Sequence, residues 1–332
     1  MKHDLFVTIV LVVFFILAQV VGLGLVNADM KGVEVVDGVP TIVHADTSLG
    51  PRPELSGSGA FAYIAIGLII GTLLVLLIIR MKKINLWKAW FFIAVVLAII
   101  LALGVFRANY IAFFIAVFPT ISPALGGTLA TGLVFVIALV LAVLKVLKPN
   151  VIIHNITEVL MYAGIAVFLV PLLNVFWAFI LLLVISLYDM YAVWKSKHMV
   201  KMAKFQAESK VFAGLFIPYT PKAQAAAGIA KPLPPKSLKT ASAKTAKQEK
   251  RNAILGGGDI AFPLLFTGAV MESLVLKGLS KAVALQQCMT ITITTTLALA
   301  LLFIFAKKDK FYPAMPFITA GCLIGYGIVL LL

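Results

Sequence analysis

Apolar residues along this chain gather into nine long runs instead of alternating or recurring along a single stripe. The runs cover roughly 5–26, 60–79, 88–118, 126–147, 152–172, 174–194, 259–277, 282–306 and 313–332. Most are about 20 residues long, the length an α-helix needs to cross the ~30 Å hydrocarbon core of a bilayer. In lipid every backbone N–H and C=O needs an internal partner, which leaves only helices or a closed barrel. A barrel would show alternating segments of about ten residues, so the pattern predicts an all-α, polytopic membrane protein with nine transmembrane helices. Arg107 and Asn109 interrupt the third run and "FPTISP" at 118–123 ends it, the pattern of a broken or bent helix.

The polar breaks set the organisation. The largest, at 195–255, contains "KPLPPKSLKTASAKTAKQEKR", a composition that predicts disorder in its second half. It divides the chain into a six-helix part (1–194), a lysine-rich loop (195–255) and a three-helix part (256–332). Inside the loop, "VFAGLFIPY" at 211–219 is an apolar island, read either as a segment lying on the bilayer or as a strand. Lys and Arg of the short loops fall ten to five on the side of the N-terminus. The positive-inside rule therefore places the N-terminus and the 195–255 loop in the cytoplasm and the C-terminus outside. "VNA" at 26–28 resembles a signal-peptidase site, but the run before it is longer than the usual h-region of about 7–15 residues. A retained first helix is expected.

Composition agrees with the pattern. The 332 residues are 62% hydrophobic and only 12% charged, against about 25% charged in a soluble domain. Mean hydropathy is +1.09. The net charge of +15 tracks loops on one side rather than a patch on a folded domain, so nucleic acid is not an expected partner. Cys288 and Cys322 lie within apolar runs and read as small buried hydrophobes. His154 and His198 read as inner-side surface residues without metal-ligand spacing, and neither a metal nor a cofactor is implied.

Four carboxylates fall in or beside membrane segments: Glu158, Asp189, Asp259 and Glu272. An acid in lipid is costly and marks a candidate functional site. Asp189 lies six residues before Lys195, about 9 Å from the inner end of its helix. Asp259 opens the next helix from the same side, just after Gly256, Gly257 and Gly258. Glu272 is thirteen residues further on, about 20 Å away along the helix. Glu158 is on the inner side and remains a candidate third partner, although a hydrogen-bonded helix end is the simpler reading. Two carboxylates sharing a site cannot both ionise readily. One can deprotonate a water while the other polarises a peptide carbonyl.

Other inner-side features accompany the pair. Glycines permit close approach of another backbone, and an extended substrate needs a strand partner. Pro263 would suit the first turn of its helix. Pro313 and Pro316 in "YPAMPF" fix a non-helical turn leading into the last segment. Tyr188 abuts Asp189, as an interfacial aromatic or a site residue. Gly67 with Gly71, and Gly321 with Gly325, have the spacing for close helix packing.

Tyr188-Asp189, Gly256-Gly257-Gly258-Asp259 and Pro313-Ala314-Met315-Pro316 resemble the YD, GxGD and PAL motifs of the presenilin and signal peptide peptidase family. Their order, the nine-helix layout and the long loop between helices six and seven also match. The short chain and lysine-rich loop look like an archaeal presenilin homologue. The inferred orientation is presenilin-like, opposite to that of signal peptide peptidases. The resemblance implies an intramembrane aspartyl endopeptidase with Asp189 and Asp259 as the catalytic pair, Pro313, Ala314, Met315 and Pro316 shaping the site, and 211–219 pairing with unwound substrate. It implies transmembrane segments of proteins as substrates and only water as co-reactant. Met315, where the motif has Leu, departs from the pattern.

Competing chemistries lack their residues. There is no H-E-x-x-H and no P-loop, and "SGSG" at 56–59 has no membrane histidine at its depth to activate a serine. A proton-coupled transporter or ion leak remains the alternative use of buried carboxylates. An inverted repeat is not evident, and the acids sit nearer the inner side than the midplane.

Overall fold

A computed structural model of the chain describes residues 5–36, 38–55, 57–148, 150–196, 211–219, 251–306 and 312–332. These form, in order, α1 (Leu5–Asp29), β1 (Met30–Val36), β2 (Val39–His44), α2 (Gly57–Met81), α3 (Ile84–Gly104), α4 (Arg107–Val117), α5 (Pro123–Leu147), α6 (Val151–Leu169), α7 (Val175–Tyr191), β3 (Gly214–Tyr219), β4 (Arg251–Gly256), α8 (Gly257–Leu276), α9 (Lys281–Phe305) and α10 (Met315–Val329). Among the described residues eight spans are long and apolar enough to cross a membrane, and the shorter α10 accounts for the ninth run. The third run is two helices. It breaks at Val105 and Phe106, and α4, with 11 residues, is too short to cross.

Side-chain caps start several helices. Ser122, Asn150, Asn174 and Ser280 each accept a backbone N–H from the first turn of α5, α6, α7 and α9, satisfying one of the orphan donors there. Burial separates centre from edge: 72% of the α8 window and 67% of the α6 window is buried, against 11% for α2. The core joins α1, α6, α7, α8, α9 and α10 through Phe15, Val167, Leu182, Ile260, Ile291 and Ile318. The first helix is part of this core.

Glycine spacing has two outcomes. A Cβ at Gly321 would lie 2.7 Å from the Thr295 Cα, and one at Gly325 would lie 2.6 Å from the Ile291 Cα, so α9 and α10 touch through their backbones. Gly67 and Gly71 instead have nothing within 4 Å. They lie on the outer, thinly packed α2, and the expected close packing is not made within this chain.

The other departures have local causes. The connection between the first two apolar runs contains an antiparallel hairpin running from Met30↔His44 to Val36↔Val39, with Gly38 at φ +80° in its turn. The apolar island is not an interfacial segment: β3 pairs with β4 from Gly214↔Gly256 to Tyr219↔Arg251. His198 and the lysine-rich 195–255 loop, apart from 195–196, 211–219 and 251–255, lie outside the described residues.

Candidate active site

The helix ends at one end of the bundle carry the site. Asp189 is two residues from the end of α7 and is buried. Its carboxylate accepts the Met315 N–H at 3.2 Å, with the Ala314 backbone also turned toward it. The start of α10 therefore presents a backbone donor to an acid on another helix. Only Pro313 and Ala314 are non-helical; Met315 and Pro316 begin α10, where a proline fits because its missing N–H would be unpartnered anyway. One turn before Asp189, Ser186 and Thr319 share a 2.7 Å hydrogen bond that fixes α7 against α10.

Asp259 is the third residue of α8, whose N-cap is Gly256. Its carboxylate turns back toward the backbone of Gly256, in the manner of the reciprocal half of a capping box. It is half-buried and within electrostatic range of Asp189. The expected start of this helix is corrected: Gly257 and Gly258 are already helical and Gly256 ends β4. Pro263 is consequently inside the helix rather than in its first turn. Lacking an N–H, it leaves the Asp259 carbonyl without its usual i+4 donor.

The three glycines are not equivalent. A Cβ at Gly257 would lie 2.7 Å from the Tyr162 hydroxyl; one at Gly256 would lie 3.2 Å from Oδ2 of Asp259. At Gly258 the nearest atom is a ring carbon of Phe262, in the same helix, at 3.3 Å. Tyr188 is 42% exposed and turns outward beside Asp189.

Behind the pair stands a polar network that sequence reading missed. Glu158, fully buried, bonds Lys145 Nζ at 2.6 Å, accepts the Gly214 N–H at 3.1 Å and accepts the Tyr162 hydroxyl. It is a tie between α5, α6 and β3, not a third member of the aspartate pair. His154, expected at the surface, is buried, and its Nε2 bonds the Gly214 carbonyl at 2.9 Å. Asn155 exchanges two 3.0 Å hydrogen bonds with Phe216. On α1, Gln19 donates to the Ile260 carbonyl at 2.9 Å, holding α8 one residue past Asp259. The spacing of His154, Glu158 and Tyr162 at every fourth residue is the signal that could have placed them on one face of α6.

These contacts occupy one edge of β3, and β4 occupies the other. The expectation that 211–219 pairs with substrate is therefore corrected. Because alternate residues face opposite edges in an antiparallel ladder, Ile254 of β4 directs its N–H and C=O away from β3. Ile254 is exposed while Ala253 and Leu255 are buried.

Glu272 lies at the other end of α8. His44 Nε2 is 3.5 Å from Glu272 Oε1, His44 Nδ1 is 3.0 Å from Asp29, and Arg52 Nη2 is 2.7 Å from Asp29. Among the described residues no group of three or more His, Cys, Asp or Glu could hold a metal ion. Both cysteines are buried and unpaired.

A search of the curated proteins found no match in sequence. Two solved structures of a presenilin family intramembrane aspartate protease share the fold with TM-scores of 0.55, in crystals of C222 and P2 symmetry. The first is 16% identical, with 96% of this chain and 98% of that chain covered. The second is 17% identical, covering 99% and 98%. Residues 40–332 match the family described as signal-peptide peptidase, presenilin aspartyl protease, and the chain belongs to that family.

Proposed function

We propose that this intramembrane aspartyl endopeptidase hydrolyses peptide bonds within transmembrane segments of membrane proteins through Asp189, Asp259 and one water. What supports the assignment above all is the convergence of three chain segments on one spot. Asp189 on α7 takes the backbone N–H of Met315, at the start of α10, and the Asp259 carboxylate lies in its field at the start of α8. One carboxylate removes a proton from the water as it attacks the scissile carbonyl. The other, protonated, donates to the carbonyl oxygen as negative charge develops there. The proton then returns to the leaving nitrogen, and the C–N bond breaks.

A substrate helix must unwind before its carbonyl is exposed. The outer edge of β4 leads along Ile254 to Gly256, next to Asp259, and offers backbone groups to an extended substrate strand. Gly256 through Gly258, Tyr188 and Pro313 to Pro316 frame this channel. The lysine and arginine bias of the short loops supports a cytoplasmic position for this end of the bundle and the N-terminus.

The test uses the full chain in liposomes with a single-span reporter peptide, with products weighed by mass spectrometry. Wild type should cut within the span. Asp189→Asn and Asp259→Asn should each insert and melt like wild type but give no product. Cleavage by either purified variant would remove that aspartate from the mechanism.

A further inference from the structure

Between Lys88 and Lys145 the chain carries a single charged residue, Arg107. It lies at the start of α4, at the end of the bundle opposite the aspartates, beside a groove of about 610 Å³ between α4 and α5. Ile111, Pro123, Gly127, Gly132 and Phe135 supply its apolar walls. Arg107 Nε donates to Thr131 Oγ1 at 3.3 Å. Among the described residues no carboxylate pairs with this guanidinium.

The hydroxyls in the groove have little left to give. Thr128 donates to the Ala124 carbonyl at 3.2 Å and Thr131 to the Gly127 carbonyl at 3.0 Å. The terminal amino groups of Arg107 are thus the free donors, in the forked geometry that suits phosphate oxygens. The groove walls are apolar and the chain spans a bilayer, so the anion should bring carbon with it.

We propose that the α4–α5 groove binds the phosphodiester of an anionic phospholipid, with Arg107 clamping the phosphate and Ile111 and Phe135 against the glycerol and first acyl carbons. A net negative headgroup neutralises the unpaired guanidinium. A zwitterionic headgroup would bring a second cation to a groove that has no acid to receive it.

Native mass spectrometry of the full chain, purified in detergent doped with phosphatidylglycerol, tests this. Wild type should retain one phosphatidylglycerol molecule with affinity about tenfold or more above that of Arg107→Gln, the scale of hydrogen bonds to a charged group. Arg107→Lys should fall between them. Gly132→Leu is the second variant: a Cβ there meets nothing within 4 Å, so the side chain fills the groove without strain and without touching charge. It should also lose the lipid, with an unchanged melting midpoint. Equal retention by wild type and both variants would overturn the site. Equal retention of phosphatidylcholine would overturn the preference for an anionic headgroup. Displacement of the lipid by millimolar inorganic phosphate would show a free-anion site instead.

Discussion

The hydroxyl of Tyr162 stands where a side chain on Gly257 would begin, 2.7 Å from the position of its Cβ. Tyr162 cannot retreat freely, because its hydroxyl is bonded to Glu158, which is itself tied to Lys145 and to the Gly214 N–H. The start of α8, and with it Asp259, is therefore seated against a braced aromatic ring. Gly257→Ala should cost about 1–3 kcal/mol, the usual scale of overpacking, and should lower reporter cleavage in step with any shift of Asp259. Gly257→Leu should be worse than Gly257→Ala. Gly258→Ala, facing only Phe262 of its own helix, should stay within about 1 kcal/mol of wild type. Melting and cleavage measured on the three variants check the ranking. A Gly257→Leu variant as active as wild type would break the link.

Met315 acts through its backbone more than its side chain. Its N–H is bonded to Asp189 at 3.2 Å, and hydrogen bonds to charged groups are worth roughly 1.5–3 kcal/mol. Met315→Pro removes that donor and also disfavours the αR conformation that Ala314 adopts, so turnover should fall at least about 10-fold. Met315→Leu keeps the N–H and nearly the volume, and its rate should remain within about twofold. The departure of this chain from the PAL pattern then has little kinetic weight. Steady-state cleavage of the reporter by the two variants separates backbone from side chain.

Lys145 and Glu158 form a pair sealed from water, with exposures of 3% and 0%. Removing one partner from such a pair typically costs about 3–5 kcal/mol, because the other charge stays buried alone. Lys145→Met should therefore melt well below wild type, and Lys145→Met with Glu158→Gln should recover part of the loss. A double-mutant cycle on denaturation midpoints measures the coupling. Additive losses would mean that the two groups act independently.

The parts legible in the sequence are those written in local chain segments. Span length, the lysine-rich breaks, and the positions of Asp189, Asp259 and Pro313 relative to helix ends all follow from neighbours within one or two turns. The hairpin after α1 was also written locally, in "VEVVDGVPTIV", a turn signal flanked by β-branched residues. What could not be read depends on partners far apart. Glu158 draws its meaning from Gly214, fifty-six residues away, and Gln19 from Ile260, at a separation of 241. The two GxxxG spacings are alike in sequence, yet one meets a neighbouring helix and the other meets open space. Periodicity identifies a face but not what stands opposite.

At the far end of the bundle, Arg52 joins three chain segments. It donates to the Ala45 carbonyl at 2.7 Å, to Asp29 at 2.7 Å and to the Val167 carbonyl at 3.3 Å, clasping the hairpin and its following loop onto α1 and α6. Asp29 is 2% exposed, so Arg52→Ala would leave a buried acid with His44 as its remaining side-chain partner and should cost about 1–3 kcal/mol. Arg52→Lys should recover only part of this, since one ammonium cannot serve three acceptors that a planar fork reaches together. The clasp lies by Glu272, thirteen residues along α8 from Asp259 and so about 20 Å from the site. The folded fraction of Arg52→Ala should therefore cut the reporter at the same bond and within about twofold of the wild-type rate, mutations at that separation being largely independent. Cleavage normalised to the folded fraction, with product masses, tests this directly. A moved cut site would show that the hairpin end sets substrate register, and the clasp would then belong to the catalytic machinery rather than to stability alone.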